Sequence, residues 1–138
     1  MPVRKGPDDA SALCLQLASG RDAPAGARAA IADFSARHGL HADTLATMML
    51  LVSELVTNAV VHPEVQKPSD IGLRAHLADG TIRVEITDQG SGFTPQERDP
   101  ARLDGGYGLF LLDRAAARWG VEHDQGTTVW FEVSAQTA

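Results

Sequence analysis

Leu13, Leu15 and Leu17 alternate with Cys14 and Gln16, a period of two that predicts a strand with one buried face, ended by Ser19-Gly20. The spacing then becomes helical. A first helix is predicted to open near Pro24, where a missing N–H costs nothing, and to close around Gly39, with Ile31 and Phe34 buried. A second starts near Asp43, runs through LATMMLLVSELVTNAVV and stops at His62-Pro63, because the residue before proline is pushed out of helical geometry. Ile71, Leu73, Ala75 and Leu77 then share one phase, and Asp79-Gly80 supplies a hairpin turn. TIRVEITD returns with Ile82, Val84, Ile86 and Asp88 pointing inward. Residues 89–105 show no sustained periodicity, and loops of that length in compact domains are usually functional or disordered. GYGLFLLDRAAARW predicts a third helix ended by Gly120. Val121 to His123, a turn over residues 124–126, and a strand with Thr127, Val129, Phe131 and Val133 on one face complete the pattern.

That order of elements predicts an α+β fold: a two-layer sandwich whose mixed, mainly antiparallel sheet carries helices on one face. Residues 1–10 read as a loose leader, 11–134 as one domain and 135–138 as a tail. A chain of 138 residues buries roughly two-thirds of its unfolded surface, enough for one core rather than two. Twelve basic against eighteen acidic residues leave a net charge of −6 with no cluster of Lys and Arg, so no direct nucleic-acid partner is expected. The longest apolar stretch, near Met48 to Val52, is too short for a bilayer, and no apolar segment follows Arg4 and Lys5, so neither membrane insertion nor export is expected. Cys14 stands alone, which excludes an internal disulfide and fits a reducing cytoplasm.

The second helix carries the first chemical signal. Leu45, Met48, Met49, Val52, Leu55, Val56 and Ala59 form a broad apolar arc that Leu50, Val60 and Val61 extend around the circumference, so the helix is expected to be largely buried. Glu54 is the only charge between Leu45 and Val61, and Asn58 lies about 40° away on the same face. A buried carboxylate must be paired or bound to a metal, so the two form a candidate oxygen-ligand or base constellation; a rim glutamate bonded to a neighbouring strand is the plainer alternative. Asp88 is a charge in the inward phase of a strand, followed by Gly90 and Gly92, which free the backbone to approach a ligand; a strand-ending turn is again the plainer alternative. Gly105, Gly106 and Gly108 open the third helix, where exposed N–H groups can hold phosphate, yet the spacing fits neither the Walker lysine loop nor the Rossmann pattern. The five histidines show no metal-ligand spacing, and Ser91 lacks the surroundings of a hydrolase nucleophile. Trp119 and Trp130 read as packing residues, with Trp130, out of phase with the core face, a candidate for a protein interface.

Taken together, ELVTNAVVH (54–62), DQGSGF (88–93), GGYGL (105–109) and GTTVWF (126–131) resemble the ATPase superfamily of gyrase, the large heat-shock chaperones, histidine kinases and MutL. The short chain is most similar to the stand-alone anti-sigma-factor serine kinases of bacteria, in their actinobacterial branch. The resemblance implies that Asn58 coordinates a magnesium ion bridging the ATP phosphates and that Glu54 is the general base toward a serine hydroxyl. It implies that Asp88 accepts a hydrogen bond from the adenine amino group, with Thr127 supporting the same base through water. Gly90 and Gly92 match the first glycine box. Gly106, Gly108 and Leu109 match the second, at the hinge of a lid formed by residues 93–105. One departure is Val61, where many relatives carry Arg or Lys; phosphate grip is then weaker or supplied by Arg98, Arg102 or the backbone.

The activity so implied is a magnesium- and ATP-dependent serine/threonine kinase that phosphorylates an anti-anti-sigma protein of the STAS type and otherwise sequesters a sigma factor, as a homodimer. The alternative is a nucleotide-gated protein-binding module without phosphotransfer. A histidine-kinase catalytic fragment is a third reading, disfavoured because no dimerisation helix precedes the strand.

Overall fold

The structure is a computed structural model that describes residues 12–18, 20–60, 70–88, 108–123 and 126–135. Among the described residues eight elements follow in chain order: β1 (Ala12–Leu17), α1 (Ala23–His38), α2 (Ala42–Val60), β2 (Ile71–Ala78), β3 (Thr81–Asp88), α3 (Gly108–Ala115), β4 (Arg118–Glu122) and β5 (Thr127–Ser134). The strands form one five-stranded sheet in the order β1-β2-β3-β5-β4. The α+β sandwich is as expected, but the sheet is not mixed: each pairing is antiparallel. Two helices between β1 and β2 carry the chain down and back, so β2 starts beside the end of β1, with Ile71 opposite Leu17. β3 and β4 do run the same way, yet β5 lies between them and pairs with both.

Local chemistry sets the element ends. Pro24 occupies the first turn of α1, and Gly39 caps it in the left-handed region at φ 61°, donating its N–H to the carbonyl of Ala36. Asp79 and Gly80 both take positive φ, 54° and 76°, as the tight β2–β3 hairpin requires. The third helix is shorter than the sequence pattern suggests. Its last helical bond runs from the Ala116 N–H to the Leu112 carbonyl, and the next N–H, of Ala117, donates to Glu132 and begins the β4–β5 ladder. Residues 118–120 thus belong to a strand, because alternation places Trp119 and Val121 against the core and Gly120 beneath Trp130. The Trp119 indole N–H donates to Asp113 at 2.7 Å and ties this strand to α3.

The core lies between the helices and one face of the sheet. Ile31 and Phe34 of α1, Met48, Leu51, Val52 and Val56 of α2, Leu73 of β2, Ile82 and Val84 of β3, Leu112 of α3 and Phe131 of β5 are fully buried. Within α2 the outcome differs from the wheel at Leu50. It is 45% exposed, while its neighbour Leu51 is fully buried in the core. The opposite sheet face is polar. There Arg83 lies 4.0 Å from the ring centroid of Trp130 and pairs with Glu85 and Glu132. Partial burial opposes the charge of Arg83, but its hydrogen bonds and attraction to both glutamates outweigh it and raise the guanidinium pKa.

Candidate functional site

The site lies at the end of the sheet where β2 begins, β3 ends and β5 begins. Ile71, Asp88 and Thr127 form the terminal row across those strands, in register with one another. Asp88 reaches this position because three inward residues of β3, Ile82, Val84 and Ile86, fix the phase of the fourth. Asp88 and Thr127 are both buried, 7% and 3% exposed.

Helix α2 brings its last turns over this row. Leu55, Asn58 and Ala59 line one side of a narrow cleft with a cavity volume of about 20 Å³, and Ile86, Asp88, Thr127 and Val129 line the other. Asn58 is 8% exposed, and its side-chain Nδ2 has no hydrogen-bond partner among the described residues. An unsatisfied buried amide carries a desolvation cost of about 1–3 kcal/mol, which a ligand would relieve. Glu54, one turn earlier, is half-buried and makes no hydrogen bond or ion pair among the described residues. Ala115, at the end of α3, lines a cavity together with Thr44 and Thr47 of the first turns of α2. The arrangement offers an apolar slot with one carboxylate, one hydroxyl and one amide converging on it, the composition of a small-molecule pocket.

The structure therefore assembles Asn58, Asp88 and Thr127 around one cleft, with Glu54 one turn before Asn58 on α2 and Gly108 and Leu109 in the first turn of α3. Gly90, Gly92 and Gly106 lie outside the described residues, as do Val61, Arg98, Arg102 and the lid at 93–105. Sequence reasoning passed over His123, whose Nδ1 is 3.5 Å from the Thr127 hydroxyl. No spacing signal marked it, because the contact depends on the β4–β5 turn. Among the described residues no three His, Cys, Asp or Glu side chains gather as a metal site. A magnesium ion that took the single amide oxygen of Asn58 together with phosphate oxygens would not need such a group, whereas the unpartnered Nδ2 of Asn58 is a donor and suits a phosphate oxygen rather than the metal.

Residues 18–133 match the family described as histidine kinase-like ATPase domain. The chain belongs to that family. Among its relatives, the serine-protein kinase RsbW of Listeria innocua is 24% identical over 130 residues, covering 85% of this chain and 83% of the relative. That of Staphylococcus epidermidis is 32% identical over 108 residues, covering 67% of each. An anti-sigma F factor of Caldanaerobacter subterraneus is 33% identical over 72 residues, covering 52% of this chain and 50% of the relative. The chain thus spans about half the length of the anti-sigma F factors it matches. A crystal structure of the RsbU and RsbW domains of a Mycobacterium tuberculosis protein shares the fold. Its TM-score is 0.72 at 22% identity, over 92% of this chain and 34% of that one. No helix among the described residues is long and apolar enough to cross a membrane.

Proposed function

We propose that this histidine kinase-like ATPase domain binds magnesium-ATP in the cleft between α2 and the terminal row of the sheet, and that it is a serine/threonine protein kinase and anti-sigma factor. The observation that carries the reading is the convergence of buried Asn58, Asp88 and Thr127 on one slot inside a chain of this family. Asp88 accepts a hydrogen bond from the adenine amino group, Thr127 supports that base, and the apolar walls Leu55, Ile86 and Val129 cover its ring faces. Asn58 offers its amide oxygen to the metal. When bound, magnesium neutralises the phosphate charge that builds up during transfer.

Glu54 then acts on the protein substrate. Its carboxylate takes the proton of a serine hydroxyl as that oxygen bonds to the γ-phosphorus; the bond from phosphorus to the bridging oxygen breaks, and ADP leaves. Half-burial without a partner among the described residues suits such a base, since a carboxylate locked in an ion pair would be a weaker acceptor. The relatives named anti-sigma F factor and serine-protein kinase support a sigma factor as partner and a protein serine as acceptor; the STAS-type anti-anti-sigma protein as that substrate rests on the resemblance of the motifs. A homodimer and a cytoplasmic location complete the reading.

Calorimetric titration of ATP and ADP with and without magnesium tests the site, using Asn58→Ala and Asp88→Ala beside the wild type. Magnesium-dependent binding that weakens at least tenfold in both variants is the expected result. Folded wild-type protein that binds no nucleotide would overturn the reading.

A further inference from the structure

We propose that the hydroxyls of Thr87 and Thr128, on the sheet face opposite the cleft, are a positioning pair that sets the base selectivity of the nucleotide site. The inference rests on the reading of Asp88 and Thr127 as the groups that recognise the base. Thr87 precedes Asp88 and Thr128 follows Thr127, so on adjacent strands each threonine points away from the cleft while its neighbour points into it. The two hydroxyl oxygens are 2.8 Å apart, a full hydrogen bond in which either donates.

The position of this link explains its role. Asp88 opposite Thr127 is the terminal rung of the β3–β5 ladder: β3 ends at Asp88, β5 starts at Thr127, and β4 stops one rung short, at Glu122 opposite Thr128. Strand ends are the first parts of a sheet to open, so the rung that carries the two recognising side chains is the one the backbone ladder holds least. Thr87–Thr128 is the penultimate rung, and its side-chain bond closes the strand pair directly behind the site. On the adjoining strand β2 the residue opposite Thr87 is Gly72, which has no side chain of its own; the Gln16 amide of β1 lies over it, yet the Thr87 hydroxyl pairs with Thr128. Farther along the same face the strands are joined by the longer bridge from Arg83 to Glu132. The threonine pair is the short link nearest the cleft.

The consequence is specificity. A carboxylate held at a fixed distance accepts the amino group of adenine and repels the carbonyl oxygen that guanine presents at the same place. If the terminal rung loosens, Asp88 can withdraw from that oxygen, and discrimination falls before binding is lost.

The test measures ATP and GTP dissociation constants, with magnesium, for wild type, Thr87→Val, Thr128→Val, the double variant, and Thr87→Ser. Valine keeps the shape and strand preference of threonine and faces solvent here, so the fold is preserved; a melting curve for each variant verifies this. The expected result is an ATP-over-GTP preference about three- to tenfold lower in each valine variant, no further loss in the double variant, and recovery in Thr87→Ser. A preference unchanged in folded valine variants, or fully additive losses that serine does not restore, would overturn the positioning role while leaving the nucleotide site standing. Wild type without affinity for ATP would overturn both, and Asp88→Ala shows in parallel whether the site itself is the one read.

Discussion

At the scale of single residues, the candidate site is a set of polar groups placed where polar groups are expensive. Asn58, Asp88 and Thr127 are buried beside Leu55, Ala59, Ile86 and Val129, and the Nδ2 of Asn58 has no partner among the described residues, a cost that a ligand would relieve. Glu54 has a different position: half-buried, unpaired among the described residues, and one helical turn from Asn58. Removing its basicity while keeping its shape separates binding from chemistry. Glu54→Gln is expected to retain ATP affinity within about twofold and to transfer phosphate to a STAS-type substrate about 10²- to 10⁴-fold more slowly, measured by radiolabel incorporation. Unchanged incorporation would remove Glu54 as the base and favour a binding module at this position. Most of these residues were legible in the sequence because their charge or amide broke an apolar pattern. His123 was not, since an exposed histidine near a turn breaks nothing.

At the scale of elements, α2 does two jobs with one sequence. Its apolar arc holds the core, and its polar edge reaches the cleft. The difference between Leu50 and Leu51 measures how sharply the boundary runs. Leu51→Ala is expected to cost about 2–5 kcal/mol in urea unfolding, whereas Leu50→Ala stays within about 0.5 kcal/mol. Periodicity alone could not divide these neighbours, because α2 is apolar almost all round and only its packing against the rest of the core decides which leucine is covered. The β4–β5 hairpin gives a second case. A Cβ at Gly120 would lie 2.8 Å from Cζ2 and Nε1 of Trp130, so the indole must shift off its place beneath Arg83. Gly120→Ala is expected to destabilise by about 1–3 kcal/mol, read as a lower melting midpoint with the β4–β5 amides exchanging faster. The sequence placed that glycine as a helix terminator, since small and aromatic residues after Ala115 continue a helical pattern as well as they begin a strand. Pairing with β5 decided between them.

At the scale of the molecule, the two layers meet most tightly away from the cleft and leave a slot where α2 passes over the last row of the sheet. A ligand filling that slot joins the layers, so binding and stability are linked. Magnesium-ATP at about a hundred times its dissociation constant is expected to add about 2.7 kcal/mol to unfolding, seen as a rise of several degrees in the melting midpoint. The same ATP with excess chelator should produce a clearly smaller rise, and Asp88→Ala should show almost none. Equal stabilisation with and without the metal would contradict the role given to Asn58.

The sequence by itself determined the order of elements, the inward phase of β1, β2, β3 and β5 and the two-layer class. These follow from local periodicity and turn chemistry, such as Pro24, Gly39 and Asp79-Gly80, which act over a few residues. It also marked Glu54, Asn58, Asp88 and Thr127, because each departs from its own local pattern or matches a motif. Only the tertiary structure decided that β5 inserts between β3 and β4 and makes each pairing antiparallel. It likewise decided that residues 118–120 form a strand, that Leu50 faces outward, and that Thr87 meets Thr128 behind the cleft. Those outcomes depend on partners distant in the chain, and no window of neighbouring residues carries the energy of a contact that forms only when the layers close.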